Sequence, residues 1–219
     1  MTERSQKEVF LAGEGDAWYG RNEQHLRQPG PDIVLNTLEE MRIAPKSVLE
    51  IGCANGYRVA QICERFGGTG FGIEPSSKAV ADGRSRYPSL SLEVGTADIL
   101  PFADGQFDLV IFGFCLYLVD PRLHLRCVAE ADRVLGEGGL LVIYDFIEPA
   151  PYHNVYAHRP GIRSHKMEFS RFFLASPAYR LLRRNMAVLE HGISKPDQSV
   201  GVDVLAKNYA AAFPPNPFV

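Results

Sequence analysis

The sequence predicts an α/β fold, a doubly wound, mostly parallel sheet of seven strands with helices on both faces and a C-terminal antiparallel hairpin. Short apolar runs alternate with segments of helical spacing from residue 32 to residue 146, which is typical of a parallel sheet. Runs such as FDLVIF (107–112) are almost continuously apolar, so helices should cover both faces of the sheet. Two further strand-like runs, at 187–193 and 200–208, flank a short polar segment and predict the hairpin.

The first predicted helix spans 32–43, where apolar residues recur at helical spacing until Pro45 ends the pattern. SVLEI (47–51) is the first strand. A second helix over 55–66 has one apolar face, and the glycine pair at 67–68 ends it.

The second strand is TGFGI (69–73), and Ser76 caps a third helix that ends before Pro88. The remaining elements follow from the same patterns: a weak strand over 91–95, a strong strand over 107–112, a helix over 121–135, a strand over 140–146 and a helix over 170–185.

Length and composition indicate one soluble globular domain: 219 residues, 46% hydrophobic and 22% charged. A net charge of −3 disfavours nucleic acid and anionic membrane as partners. The longest apolar stretch, residues 107–119, is too short to span a bilayer. The four cysteines form no CxxC pair and the N-terminus resembles no signal peptide, so we expect a cytoplasmic protein with reduced thiols and no bound metal.

The turn after the first strand carries the strongest chemical signal. The run VLEIGCANGYRV (48–59) ends a strand in Glu50 and places Gly52 and Gly56 four residues apart. A dinucleotide site is expected to read GxGxxG, which disfavours an oxidoreductase, and a phosphate-binding loop needs a Lys-Ser/Thr pair that is absent. A carboxylate inside the turn suits a ligand with an ammonium or sulfonium group.

This turn resembles that of the class I S-adenosylmethionine-dependent methyltransferases. Glu74 follows Glu50 by 24 residues and ends the second strand, as in that family. The segments TADILPF (96–102), FDLVIFGFCLYLVD (107–120) and GGLLVIYDF (138–146) extend the resemblance. It covers residues 32–146, with one departure at Ala54, where the family has a glycine.

The resemblance implies S-adenosyl-L-methionine as the cofactor. It assigns Glu74 to the ribose hydroxyls, Asp98 to the adenine amine, and Phe114 and Tyr117 to the methyl group. The full set of expected cofactor-binding residues is Trp18, Arg21, Glu50, Gly52, Cys53, Ala54, Asn55, Gly56, Glu74, Pro75, Ser76, Ala97, Asp98, Ile99, Phe114 and Tyr117.

The N-terminal segment 13–22 holds the only tryptophan, Trp18. In the family this region often folds over the cofactor, so we expect a lid in which Asp16 caps a short helix and Arg21 meets a carboxylate. The alternative is an aromatic side chain packed on the core with no contact to a ligand.

The segment 152–165 contains three of the six histidines. It follows the fifth strand, where substrate meets cofactor in this fold, so we expect His153 or His158 to act as a general base. Tyr152 and Tyr156 would shape the acceptor pocket, and the next candidates for the base are Tyr144, Asp145 and His165. The alternative is a polar surface loop.

The expected function is methyl transfer to a small polar acceptor, an O- or N-methylation of a sugar or secondary metabolite; the alternative is a non-catalytic binder of the same cofactor. The expected single domain spans 1–219: a lid (1–31), a cofactor-binding core (32–146), an acceptor-side insertion (147–186) and a terminal hairpin and tail (187–219). No pattern indicates the oligomeric state.

Overall fold

The computed structural model describes residues 5–186, 199–216 and 218. Its centre is a seven-stranded sheet with the order β3-β2-β1-β4-β5-β9-β8, and β6 pairs with β7 in a separate hairpin. The strands are β1 (Ser47–Ile51), β2 (Thr69–Glu74), β3 (Ser91–Val94), β4 (Phe107–Gly113), β5 (Leu135–Phe146), β6 (Tyr152–Val155), β7 (Arg163–Lys166), β8 (Tyr179–Met186) and β9 (Val200–Lys207).

Strands β1 to β5 pair in parallel, whereas β9 pairs antiparallel with both β5 and β8. The helices are α1 (Gln6–Val9), α2 (Gly15–Arg27), α3 (Ile33–Glu40), α4 (Tyr57–Phe66), α5 (Ser77–Arg86), α6 (His124–Val134), α7 (Arg171–Leu174) and α8 (Tyr209–Ala212). A π-helical segment, Phe10–Glu14, joins α1 to α2, and a 3-10 turn, Leu116–Leu118, follows β4. In the described part of the chain, no helix combines the length and apolarity that crossing a membrane requires.

Both faces of the sheet are covered, as the apolar strands predict. Leu109 and Ile111 of β4 pack in a cluster with Leu38 of α3, whereas Val110 and Phe112 pack in the cluster that contains residues of α6. Alternate side chains of one strand therefore enter two different cores. This architecture confirms the predicted fold class.

The helix predicted over 170–185 is wrong. A helix forms only over Arg171–Leu174, and Tyr179–Met186 forms β8, the edge strand beside β9. Pairing of the backbone with β9 makes this segment a strand despite its local preference for helix. The sequence did not reveal the strand, because an edge strand buries few side chains and shows no alternating pattern. The antiparallel hairpin is thus present with β8 and β9 as its strands, and the predicted strand at 187–193 lies outside the described residues.

Asp16 does not cap its own helix. Helix α2 begins at Gly15, and Asp16 lies in its first turn. The Asp16 carboxylate instead accepts hydrogen bonds from Oγ of Ser76 at 2.7 Å and from the backbone N–H of Lys78 at 3.0 Å. Since these donors begin α5, Asp16 fastens the N-terminal segment to the edge of the sheet where β2 ends.

Candidate functional site

The turn between β1 and α4 has an unusual backbone. Gly52, Ala54 and Gly56 have φ angles of 75°, 50° and 76°. A left-handed conformation costs an alanine roughly 1–2 kcal/mol, so the surrounding structure must hold Ala54 in place. A β-carbon on Gly52 would lie 2.5 Å from Cβ of Cys115, so only glycine fits there. Every second residue of the turn is therefore left-handed.

Glu74, at the end of β2, fixes this turn. Its Oε2 atom accepts from the N–H of Ala54 and its Oε1 atom accepts from the N–H of Ser76, both at 3.0 Å. The side chain is buried and still lines a cleft above the sheet. Burial raises the pKa of Glu74 to about 7. An ionised carboxylate has about four acceptor positions, so after two backbone contacts it can still accept from a ligand.

Asp98 follows β3 and lines the same cleft. Its Oδ2 atom lies 2.7 Å from Nζ of Lys7. Burial raises the pKa of Asp98, but hydrogen bonds from Lys7 and Thr96 outweigh burial and hold the pKa below its ordinary value. Ala97 also lines the cleft, whereas the side chain of Ile99 is exposed.

Glu50 lies beneath the turn and does not line the cleft. The guanidinium of Arg58 binds Oε1 of Glu50, and its Nε atom donates to Asp32 at 2.8 Å. All three side chains are buried. Among the described residues, Oε2 of Glu50 has no hydrogen-bond partner. Two buried carboxylates therefore share one arginine, and this network was missed in the sequence although a buried acid requires a cation nearby.

The cleft is open to solvent, and its space together with the solvent at its mouth amounts to about 820 Å³. Seven of the expected cofactor-binding residues line it: Trp18, Gly52, Glu74, Pro75, Ala97, Asp98 and Phe114. The others do not: Arg21, Glu50, Cys53, Ala54, Asn55, Gly56, Ser76, Ile99 and Tyr117. Fourteen further residues complete the lining and were not in the expected set: Lys7, Phe10, Gly15, Ile51, Ile73, Gly95, Thr96, Gly113, Cys115, Leu118, Val119, Asp120, Leu123 and Cys127.

Several of the expected residues outside the lining support the turn from behind. Cys53 is buried beside Gly72, where an added β-carbon would lie 2.5 Å from its sulfur. Asn55 is buried and donates to Asp82 at 3.1 Å. These contacts hold the backbone between β1 and α4 rather than a ligand.

The N-terminal segment closes one side of the cleft. Gly15 packs directly on the backbone of Pro75 and Ser76, and Trp18 lines the cleft. Tyr19 of α2 is buried and donates from its hydroxyl to Asp82 at 2.7 Å. Because Gly15 has no side chain, the backbone of the N-terminal segment contacts the backbone of Pro75 and Ser76 directly.

Arg21 meets a carboxylate from within the chain. Its Nη2 atom lies 2.6 Å from Oε1 of Glu14 and 2.9 Å from the hydroxyl of Tyr156. Glu14 and Tyr156 are buried. Arg21 therefore ties α2 to the segment after β5 instead of reaching into the cleft.

Aromatic rings gather at the end of the cleft beyond β4 and β5. The ring centroid of Phe114 lies 4.9 Å from that of Tyr117 and 5.2 Å from those of Tyr144 and Phe146. Phe114 has a φ of 59°, which is rare for a bulky residue and is typical of functional sites. Of these four rings, only Phe114 is part of the lining of the cleft.

The two histidines expected to act as a base are exposed and lie outside the lining of the cleft. His153 on β6 contacts the guanidinium of Arg163, and the ring of His158 packs against Tyr156 at 5.2 Å. The hairpin of β6 and β7 that carries His153 is next to the 3-10 turn after β4, because β7 packs against that turn. Within the described ranges, no cluster of three or more His, Cys, Asp or Glu residues is arranged to hold a metal ion.

Asp145 and His165, two further candidates for the base, differ in their hydrogen bonds. Asp145 is buried and accepts from the N–H groups of Leu116 at 2.9 Å and Phe146 at 2.8 Å, and burial raises its pKa to about 7. It therefore holds the turn after β4. His165 has a buried Nδ1 atom for which the described residues provide no hydrogen-bond partner.

Comparison with known proteins identifies residues 48–139 as a match to the family model described as "Methyltransferase domain". An uncharacterized methyltransferase of Synechocystis sp. is 30% identical over 114 residues, which are 52% of this chain and 53% of that protein. A demethylmenaquinone methyltransferase of Beutenbergia cavernae is 34% identical over 123 residues, 55% of this chain and 50% of that protein. The chain thus spans about half the length of the curated relatives it matches.

A solved structure shares the fold over most of the chain. The 1,6-didemethyltoxoflavin-N1-methyltransferase of Burkholderia thailandensis has a TM-score of 0.68 at 15% identity, covering 92% of this chain and 87% of that one. That structure contains 1,6-didemethyltoxoflavin and S-adenosylhomocysteine. The matched segment runs from β1 into β5, so this part of the chain is a methyltransferase domain, and the chain shares its fold with that S-adenosylhomocysteine-bound methyltransferase.

Proposed function

We propose that this protein transfers a methyl group from S-adenosylmethionine to a small polar acceptor that is methylated on oxygen or nitrogen. The observation that carries the proposal is the placement of Glu74, at the end of β2, and Asp98, after β3, in the lining of one cleft, with Glu50 of β1 beneath the adjoining turn. In open α/β sheets, ligands bind beyond the carboxyl ends of the parallel strands, where this cleft lies.

The residues present fit the cofactor. The carboxylate of Glu74 can accept from both ribose hydroxyls, and Asp98 can accept from the adenine amine. Oε2 of Glu50 has no hydrogen-bond partner among the described residues and is buried beneath the turn, where its partial negative charge would favour a cationic group of the ligand in the cleft without direct contact. Apolar side chains, among them Leu118 and Val119, supply walls for a flat base.

The cofactor supplies an activated methyl group on a sulfonium sulfur, and the protein has to align the acceptor and exclude water. Phe10, Gly15 and Trp18 close the cleft on the side of the N-terminal segment. Asp145 holds the turn that follows Phe114, so the aromatic end of the cleft is fixed relative to β5. These contacts support a site that binds its ligands in one geometry.

The substrates that two relatives are named for, and the aromatic end of the cleft, support a small acceptor. The names of the Beutenbergia and Burkholderia enzymes give small molecules as their substrates. In this chain, Phe114 brings an aromatic ring to the wall of the cleft, and the rings of Tyr117 and Tyr144 pack beside it. The free thiols of all four cysteines are in keeping with the cytoplasmic location that we propose.

The second candidate function is cofactor binding without catalysis. The exposed positions of His153 and His158, outside the lining of the cleft, favour it. One assay separates the two: S-adenosylmethionine is incubated with the protein and a panel of sugars, amines and phenols, and release of S-adenosylhomocysteine is measured. Turnover with any acceptor is the result we expect. Cofactor binding with no turnover across the panel would favour the alternative, and absence of binding would refute both functions.

We propose that His153 or His158 meets the acceptor at the mouth of the cleft, since the hairpin packs against the turn after β4. Replacing the one that does so should lower turnover about 10²- to 10⁴-fold, because a hydroxyl or ammonium acceptor must lose a proton to a base. His153→Ala and His158→Ala are compared once an acceptor is known, with His25→Ala, an exposed histidine of α2, as the matched control. Affinity for S-adenosylhomocysteine should stay unchanged in all three. Equal turnover of the two variants and the control across pH would place the base elsewhere.

Trp18 fluorescence should change when S-adenosylhomocysteine is added, because this single tryptophan lines the cleft. The midpoint of the change should equal the dissociation constant from calorimetry, and Trp18→Phe should abolish the signal. NAD is the control ligand and should produce no change. If the fluorescence stays constant at saturating ligand, Trp18 is not part of a lid over the cofactor.

A further inference from the structure

A lysine from the short helix α1 reaches into the cleft. The Nζ atom of Lys7 lies 2.7 Å from Oδ2 of Asp98, and both residues belong to the lining. The Lys7 side chain is 26% exposed and that of Asp98 is 3% exposed. The two residues are 91 positions apart in the sequence, so only the folded N-terminal segment brings the ammonium to this carboxylate.

Contacts of its neighbours fix the position of Lys7. The side chain of the buried Gln6 donates to the carbonyl oxygen of Leu118 at 2.9 Å and accepts from the N–H of Arg163 at 2.8 Å. Ser5 and Glu8 form a capping box around α1. Helix α1 is held against the 3-10 turn on one side and β7 on the other. These contacts fix the position of the Lys7 ammonium beside Asp98.

We propose that Lys7 and Asp98 bind the edge of the adenine ring together, with Lys7 donating to a ring nitrogen that flanks the amine accepted by Asp98. The proposal rests on the proposed function, since it requires an adenine nucleoside in the cleft. Adenine presents an amine donor next to ring-nitrogen acceptors. A carboxylate only accepts and an ammonium only donates, so the touching pair matches that edge.

The charges of the pair favour this role over a purely structural one. Asp98 is an ionised acceptor at neutral pH, since its hydrogen bonds outweigh the effect of burial on its pKa. Its carboxylate has acceptor positions beyond the one that Lys7 occupies. A structural ion pair would not need to face the empty volume of the cleft, whereas both of these side chains do. Lys7 is therefore a specificity-determining residue carried by the segment that closes the cleft.

The test is titration calorimetry with S-adenosylhomocysteine and with its 1-deaza and 7-deaza analogues, each of which lacks one ring nitrogen. The variants are Lys7→Met, Lys7→Arg and, as the matched control, Lys46→Met, a change at an exposed lysine just before β1. Loss of one charge-assisted hydrogen bond should weaken the binding of S-adenosylhomocysteine to Lys7→Met by about 10- to 100-fold. Lys7→Arg should retain most of the affinity, and Lys46→Met should retain all of it.

The analogues separate a direct contact from an effect on the lid. One of the two deaza analogues should bind the wild-type protein about as weakly as S-adenosylhomocysteine binds Lys7→Met. The affinity of Lys7→Met for that analogue should be no lower than its affinity for S-adenosylhomocysteine. Equal sensitivity of parent and analogues to Lys7→Met, or tighter binding by Lys7→Met, would overturn the inference. Failure of the wild-type protein to bind S-adenosylhomocysteine would instead overturn the proposed function together with it.

Discussion

Glu74→Ala is expected to weaken the binding of S-adenosylhomocysteine by about 2–4 kcal/mol, or roughly 30- to 1,000-fold, the largest loss of affinity that we expect from a single substitution. The carboxylate is the only acid at the end of β2, and it lines the cleft while it holds the N–H groups of Ala54 and Ser76. Its removal takes away the acceptor for the ribose and a support of the turn. Titration calorimetry measures the loss, and unchanged affinity would refute the ribose assignment.

The pH dependence of binding provides the control for the Glu74 variant. Burial raises the pKa of Glu74 to about 7, so its carboxylate form, which accepts from hydroxyls, is lost as pH falls through 7. Affinity for S-adenosylhomocysteine should therefore rise between pH 6 and pH 8 in the wild-type protein. Glu74→Gln keeps the shape without the titration, and its affinity should be nearly constant over this range. A pH dependence that persists in Glu74→Gln would assign the titration to another group.

Arg58→Met is expected to destabilise the protein by about 3–5 kcal/mol, because it leaves two buried carboxylates without their cation. Arg58 binds both Asp32 and Glu50, and all three side chains are buried. Chemical denaturation monitored by circular dichroism gives the free energy of unfolding. The network joins the residue that caps α3 to the end of β1, so its loss should also loosen the turn beneath the cleft.

Two further variants test whether buried charge causes this effect. Arg65→Met changes an exposed arginine of the same helix that pairs with Glu39, and it should cost at most about 1 kcal/mol. Adding Glu50→Gln to Arg58→Met removes one uncompensated charge and should recover part of the stability. If Arg58→Met and Arg65→Met destabilise the protein equally, the buried network does not stabilise the fold.

The central fold was predictable because its strands are buried on both faces. Such strands read as apolar runs, and SVLEI (47–51) has the same bounds in the structure as in the prediction. The edge strand β8 was not predictable, since YRLLRRNM leaves most of its side chains in solvent and carries no alternating pattern. What makes Tyr179–Met186 a strand is the presence of β9 beside it, which no local pattern reveals.

The candidate site also has residues that the sequence could predict and residues that it could not. Glu74 and Asp98 were predictable because ligands in this architecture bind where parallel strands end. Lys7 and Phe10 also line the cleft, but their helical segment lies far from the strands in sequence, and no local pattern shows which surface such a segment covers. Glu50 was expected to bind the cofactor, whereas it lies beneath the turn, and its partner Arg58 was missed, since hydrophobic patterns do not reveal which charged side chains a fold buries.

A crystal structure of the protein grown with S-adenosylhomocysteine tests the central claim most directly, the claim that this cleft is the cofactor site. We expect the ligand in the cleft with both ribose hydroxyls at hydrogen-bond distance from Glu74 and the adenine amine at the carboxylate of Asp98. The adenine ring of the ligand should lie between the side chains of Ala97 and Leu118. A ligand bound elsewhere, or a cleft that stays empty at saturating ligand, would contradict the account.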